Sequence, residues 1–149
     1  MDLKLRDKHV LITGGSKGIG YACAAAFLAE GALVSLVSRS TDHLEVACKQ
    51  LTETVTGSAG RISIHAADLQ KSESAAKALV SAEAAFSAVD VLVNSAGAAR
   101  RTPPEELNAQ AWHDAMNAKF FTYIHMVDLV VKKMGARGRG AIVNVVGAG

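Results

Sequence analysis

The chain has 149 residues, 50% of them hydrophobic but only 5% aromatic, so its core must be built from Ala, Val, Leu and Ile, as in parallel α/β sheets. Its 16 basic and 14 acidic residues leave a net charge of +2, too even for a protein whose partner is nucleic acid or an anionic membrane surface. No apolar run approaches the roughly 20 residues that span a bilayer, so no membrane partner is expected.

In chain order, Met1-Asp2-Leu3-Lys4 stands almost at the first predicted strand and leaves no room for a signal peptide, which favours a cytoplasmic location. Short apolar runs then alternate with amphipathic, Ala-rich segments. Val10–Thr13 reads as a strand and Gly18–Glu30 as a helix ended by Gly31. Leu33–Ser38 is a strand, followed by a helix over Thr41–Val55 capped by Thr41 or Asp42. Arg61–Ala66 is a third strand, whose alternation suits a sheet edge. Ser72–Phe86 is a helix with Ser72 as its cap and Glu73 in its first turn. Asp90–Asn94 carries Val91-Leu92-Val93, apolar on both faces, and reads as a central strand. A loop with Pro103-Pro104 leads to one long helix from Asn108 to Met134, stopped by Gly135. Ala141–Val146 is a fifth strand. Cys23 and Cys48 fall in helices without metal-ligand spacing and read as isolated buried thiols, and no metal is expected.

Thr13-Gly14-Gly15-Ser16-Lys17-Gly18-Ile19-Gly20 has the form of a strand that turns on glycines into a helix. Gly14 can take a backbone angle closed to other residues, Gly18 keeps bulk away from a bound phosphate, and Gly20 allows close helix packing. The free N–H groups and positive dipole end of the helix then face the anion. The spacing is G-x3-G-x-G rather than G-x-G-x-x-G. Five strands with intervening helices predict a doubly wound parallel sheet in the order 3-2-1-4-5, forming a single domain over residues 1–149. Gly14–Gly20, Ser38-Arg39, Asp68, Asn94–Gly97 and Gly147 all fall at the strand carboxyl ends, where such sheets bind ligands.

These features resemble the short-chain dehydrogenase/reductase family, whose Thr-Gly-x-x-x-Gly-Ile-Gly opens a Rossmann-like domain. Asp68 matches the acid that contacts the adenine ring there, although a loop acid also suits the cap of the next helix. Asn94-Ser95-Ala96-Gly97 matches Asn-Asn-Ala-Gly after strand four, with Ser for the second Asn. Asn117, within Trp112-His113-Asp114-Ala115-Met116-Asn117, resembles the family's structural and proton-relay Asn, and such a mid-helix Asn is costly without a role. Ala141-Ile142-Val143-Asn144 resembles the fifth strand. The resemblance implies that Gly14, Ser16, Lys17, Gly18, Ile19, Gly20, Ser38, Arg39, Asp68, Leu69, Asn94, Ala96 and Gly97 bind cofactor.

The end of strand two separates NAD from NADP binders. An NAD site needs a carboxylate there for the ribose hydroxyls, and this chain has Ser38-Arg39-Ser40 with no acid before Asp42. Arg39 can pair with a 2′-phosphate through two N–H groups, and Lys17 adds a charge on the same side. In the family this pairing accompanies NADP, so NADP(H) is the expected cofactor.

Catalysis is less complete. The family protonates the developing alkoxide with a Tyr whose pKa is lowered by a Lys four residues later, while a Ser after strand five orients the carbonyl. Here Tyr21 and Tyr123 are followed at that distance by Ala25 and Val127, and the Ser position is Gly147. The family's Tyr and Lys are expected beyond residue 149, so the sequence reads as the cofactor-binding part, truncated after strand five. Two functions remain open at this point. One is an NADP(H)-dependent oxidoreductase acting on a small-molecule carbonyl or alcohol. The other is a non-catalytic dinucleotide-binding or scaffold protein of the same fold.

The remaining features read plainly. His9, His43, His65, His113 and His125 show no ligand or dyad spacing, which suits core or solvated positions. Trp112, Met116 and Phe120 form a stripe suited to core or subunit contact. The resemblance places a subunit interface on the long helix, which implies a homodimer or homotetramer. Arg100-Arg101 and Lys132-Lys133 read as solvated charge.

Overall fold

All five predicted strands form, and they pair in one parallel sheet in the order β3-β2-β1-β4-β5. They are β1 (His9–Thr13), β2 (Leu33–Ser38), β3 (Ile62–Ala66), β4 (Val91–Asn94) and β5 (Ala141–Asn144). The computed structural model describes residues 2–98 and 101–147, so Arg100 of the Arg100-Arg101 pair lies outside the described residues. The helices α1 (Gly18–Ala29) and α2 (Thr41–Thr54) cover one sheet face. There Val10, Ile12, Val34, Leu36 and Val93 pack on Ala24, Leu28, Leu44, Ala47 and Leu51. The helices α3 (Ser72–Ala85) and α5 (Thr122–Arg137) cover the other face, with Leu11, Val37 and Leu92 against Ala75, Leu79, Met126 and Val130. The strands are apolar on both sides because both sides are covered. β3 lies at one edge, as its alternation predicts, and β5 lies at the other with Val143 exposed.

Several boundaries differ from the sequence reading. α2 is capped by Ser40 rather than Thr41 or Asp42, because Ser40 is the last extended residue and its Oγ accepts from the His43 N–H at 3.2 Å. Ser72 does not cap α3; the entry turn is closed instead by Asp68, whose carboxylate accepts from the Gln70 N–H, and by Ser74, whose Oγ accepts from the Asp68 N–H. The predicted long helix is three pieces: α4 (Ala109–Met116), a π-helical turn over Asn117–Phe121, and α5. It also runs past Gly135, which stays helical, and ends where Gly138 turns left-handed at φ 69°. There the Gly138 and Arg139 N–H groups return to the carbonyls of Gly135 and Met134. Trp112, Met116 and Phe120 are exposed, so the core reading of that stripe does not hold. Cys23 and Cys48 are half-buried free thiols rather than fully buried ones. Lys132 and Lys133 are ion-paired, to Asp128 at 2.8 Å and to Glu83 of α3 at 2.7 Å.

A polar file crosses the α3 face of the sheet. His9 is wholly buried, with Nδ1 2.6 Å from the Ser87 carbonyl and Nε2 2.7 Å from Ser35 Oγ. A carbonyl only accepts, so Nδ1 carries the hydrogen and Ser35 donates to Nε2. Ser63 must then donate to Ser35 (2.7 Å), His65 Nε2 to Ser63 (2.9 Å), and Ser81 to His65 Nδ1 (3.0 Å). With both rings neutral every member of the file is satisfied, and burial lowers the pKa of His9 and of His65 below the ordinary histidine value. The unfolded chain therefore binds more protons than the native one in acid. The stabilisation is full above the ordinary histidine pKa and declines as pH falls below it. Urea unfolding across pH 5 to 8 is expected to show this decline in the wild type and a flatter profile in His9→Gln.

Candidate functional site

The turn between β1 and α1 is held from both sides. The Gly14 N–H donates to the Val37 carbonyl at 2.8 Å, and Thr13 Oγ1 accepts from the Ser95 and Ala96 N–H groups, each at 3.2 Å. Gly14 sits at φ 67°, and a Cβ there would lie 2.8 Å from the Ala96 backbone. At Gly20 a Cβ would overlap the Gly14 carbonyl oxygen, so the close approach that requires this glycine is to the turn itself. α1 starts after extended Lys17 with no side-chain cap and no acid in its first turn, which leaves its first N–H groups for a ligand.

This turn forms one wall of a cavity of about 490 Å³ across the carboxyl ends of the strands. Of the residues predicted to bind cofactor, Gly14, Ser16, Lys17, Gly18, Ile19, Ser38, Arg39, Asp68, Leu69, Ala96 and Gly97 all line it. A Cβ at Gly18 would meet nothing within 4 Å, so the glycine leaves open space beside the loop. Ser16 Oγ donates to Ser38 Oγ at 3.1 Å, joining the glycine loop to the end of β2. Asp68 both lines the cavity and closes the turn into α3, so its two sequence readings coexist in the geometry.

Gly20 and Asn94 are buried behind this wall. The Asn94 side-chain amide donates to Asn144 Oδ1 at 3.0 Å and accepts from Thr13 Oγ1 at 3.4 Å, so it ties together the ends of β1, β4 and β5. Asn117 opens the π-turn and is exposed, while Ala118 and Thr122, from that turn and the residue after it, reach the cavity. Such single π-turns recur at functional sites. A Cβ at Gly147 would lie 3.9 Å from Lys119 Nζ, so an ammonium stands beside the position predicted for a serine hydroxyl. Tyr123 is occupied elsewhere: its hydroxyl donates to the Val145 carbonyl at 2.7 Å, and burial raises its pKa.

The sequence reading missed His43, Gln70 and Thr122 as lining residues. No local signal marks His43, whose polar neighbour in the cavity, Lys17, lies 26 residues earlier in the chain. Among the described residues no group of three or more His, Cys, Asp or Glu side chains is placed to hold a metal, and no helix is long and apolar enough to cross a membrane.

A doubly wound sheet with a glycine-loop cavity across its strand ends defines a Rossmann-like domain. The chain belongs to the short chain dehydrogenase family, whose model matches residues 8–148. It is 35% identical over 144 residues to D-threitol dehydrogenase of Mycolicibacterium smegmatis, covering 97% of this chain and 54% of that protein. It is 30% identical over 141 residues to gluconate 5-dehydrogenase of Gluconobacter oxydans, covering 95% and 54% respectively. The crystal structure of L-sorbose reductase from Gluconobacter frateurii, complexed with NADPH and L-sorbose, superposes with a TM-score of 0.86 at 32% identity, covering 97% of this chain and 54% of that one. The chain spans about half the length of the curated relatives it matches.

Proposed function

We propose that this chain is the cofactor-binding part of an NADP(H)-dependent oxidoreductase that interconverts a small carbonyl compound and its alcohol. The observation that carries this reading is the corner where Lys17, Ser38 and Arg39 line one cavity with no carboxylate between β2 and Asp42. The residues suit the cofactor. The uncapped start of α1 and the open space at Gly18 fit a pyrophosphate, Arg39 and Lys17 fit a 2′-phosphate, and Asp68 with Leu69 forms the wall for adenine. Bound NADPH supplies a hydride. Asn117 at the π-turn is assigned to proton relay, and Gly147 leaves the serine position without a hydroxyl. The same absence favours a second reading, a nucleotide-binding protein that kept the fold without the chemistry.

Titration of NADPH and NADH against the chain tests the cofactor assignment. NADPH is expected to bind tighter by roughly 10- to 100-fold, the worth of a charge-assisted contact of about 1.5–3 kcal/mol. Equal affinities, or a preference for NADH, would overturn it.

Self-association through α4 and α5 belongs to the same reading. Trp112, Met116, Phe120, Phe121, Ile124 and Val131 are exposed on these helices and the turn between them, and large apolar surfaces of this kind are covered by partners. A dimeric or tetrameric mass at micromolar concentration is the expected result, and a monomer would count against it.

A further inference from the structure

We propose that Lys119 is a specificity-determining residue that selects a substrate with a carboxylate on the carbon next to the reacting one, a 2-hydroxy acid or the matching 2-oxo acid. The proposal rests on the oxidoreductase reading and names the substrate class of that site. The cavity runs from the Lys17 and Arg39 corner to a far end lined by Gly97, Ala98, Ala118 and Thr122. With the 2′-phosphate at the first corner, the reacting end of the nucleotide and its substrate belong at the second. The π-turn over Asn117–Phe121 is tied to that end by the Ala98 N–H, which donates to the Ala118 carbonyl at 3.4 Å. A Cβ at Gly97 would lie 4.0 Å from Lys119 Cα, so the backbone of Lys119 stands directly against the cavity wall. Its side chain is exposed, and among the described residues no carboxylate pairs with it, whereas Lys132 and Lys133 are both taken up in ion pairs.

The ammonium reaches the end of β5 as well, since a Cβ at Gly147 would lie 3.9 Å from Lys119 Nζ. It therefore faces the spot from which a serine at position 147 would hold the reacting oxygen. The exchange of groups changes what is held. A hydroxyl is neutral and has one hydrogen to give, which suits the oxygen of any carbonyl compound. An ammonium has three donors and a charge. A carboxylate on the adjacent carbon sets one of its oxygens beside the reacting oxygen, so both meet the same ammonium, and the opposite charge makes the contact charge-assisted. A neutral substrate gains little, because an ammonium is strongly hydrated and would only trade water for a neutral oxygen. The residues lining this end carry no charge of their own, so Lys119 sets the field that a substrate meets there. Lys119 binds and orients; it neither gives nor takes a proton, and the alkoxide still needs a separate donor.

The test uses the 149-residue chain saturated with NADP⁺ and two racemic probes: lactate, and propane-1,2-diol, in which a CH₂OH group replaces the carboxylate. Backbone-amide NMR spectra report both affinity and the place of binding. Lactate is expected to shift the Gly97, Ala98 and Gly147 amides saturably and to bind about tenfold tighter than the diol, with the difference shrinking as salt is raised. Lys119→Met should bring lactate down to the level of the diol and leave NADP⁺ affinity as in the wild type. Lys119→Arg, which keeps the charge, should keep the preference. Lys119 is exposed, so both variants are expected to fold, which their amide spectra check. Equal binding of the two probes by the wild type, lactate shifts confined to the Lys17 and Arg39 corner, or an undiminished preference in Lys119→Met overturns the proposal and leaves the cofactor assignment standing. A chain that takes up no NADP⁺ overturns that assignment and the proposal with it.

Discussion

The 149-residue chain is expected to bind nucleotide yet reduce no aldehyde or ketone above background. Hydride transfer to a carbonyl leaves a developing alkoxide that needs a positioned proton donor, and such a donor is worth about 10²–10⁴-fold in rate. Neither tyrosine is followed by a lysine four residues on, and the Tyr123 hydroxyl already donates to the Val145 carbonyl. Burial raises the Tyr123 pKa, the wrong direction for a group that must give up its proton readily. Gly147→Ser alone is not expected to restore turnover, because a hydroxyl that orients the carbonyl acts only together with the proton donor. Steady-state NADPH oxidation across a panel of aldehydes and ketones measures this. Robust turnover would show that another group delivers the proton, and Tyr123→Phe and Lys119→Met would then identify it.

Arg39→Ala is expected to weaken NADP binding roughly 10- to 100-fold while leaving NAD affinity nearly unchanged. A guanidinium presents a planar fork that meets a phosphate through two N–H groups, and no carboxylate at the end of β2 competes for it. A lysine at this position would keep the charge but lose the paired geometry, so Arg39→Lys should fall between the two. The double titration separates readout of the 2′-phosphate from general nucleotide binding. Equal losses for both nucleotides would mean that Arg39 supports the cavity without reading the phosphate.

The parts of this site that were legible in the sequence are those whose physics is local. A strand that turns on Gly14, Gly18 and Gly20 into a helix carries its reason within eight residues, and Arg39 sits at a fixed offset from the end of β2. The sheet order followed from alternating strands and helices. What was not legible depends on contacts between distant segments or on small shifts within one. The π-turn at Asn117–Phe121 adds a residue to a helix without breaking its apolar pattern, so the run from Asn108 reads as continuous. The stripe at Trp112, Met116 and Phe120 has core spacing, yet no element of the described residues covers it. His9 and His65 have no telling spacing because their partners are hydroxyls on neighbouring strands and on α3. His43 was hidden likewise, since what marks it is Lys17, 26 residues earlier in the chain.

The measurement that bears most directly on the cofactor assignment is a crystal structure of this chain grown with NADPH. The expected result places the pyrophosphate over the start of α1 at Gly18 and Ile19, the adenine beside Asp68 and Leu69, and the 2′-phosphate within hydrogen-bond reach of Arg39 and Lys17. A nucleotide bound with its 2′-phosphate turned to solvent, away from Arg39, or bound outside the strand-end cavity, would contradict the account.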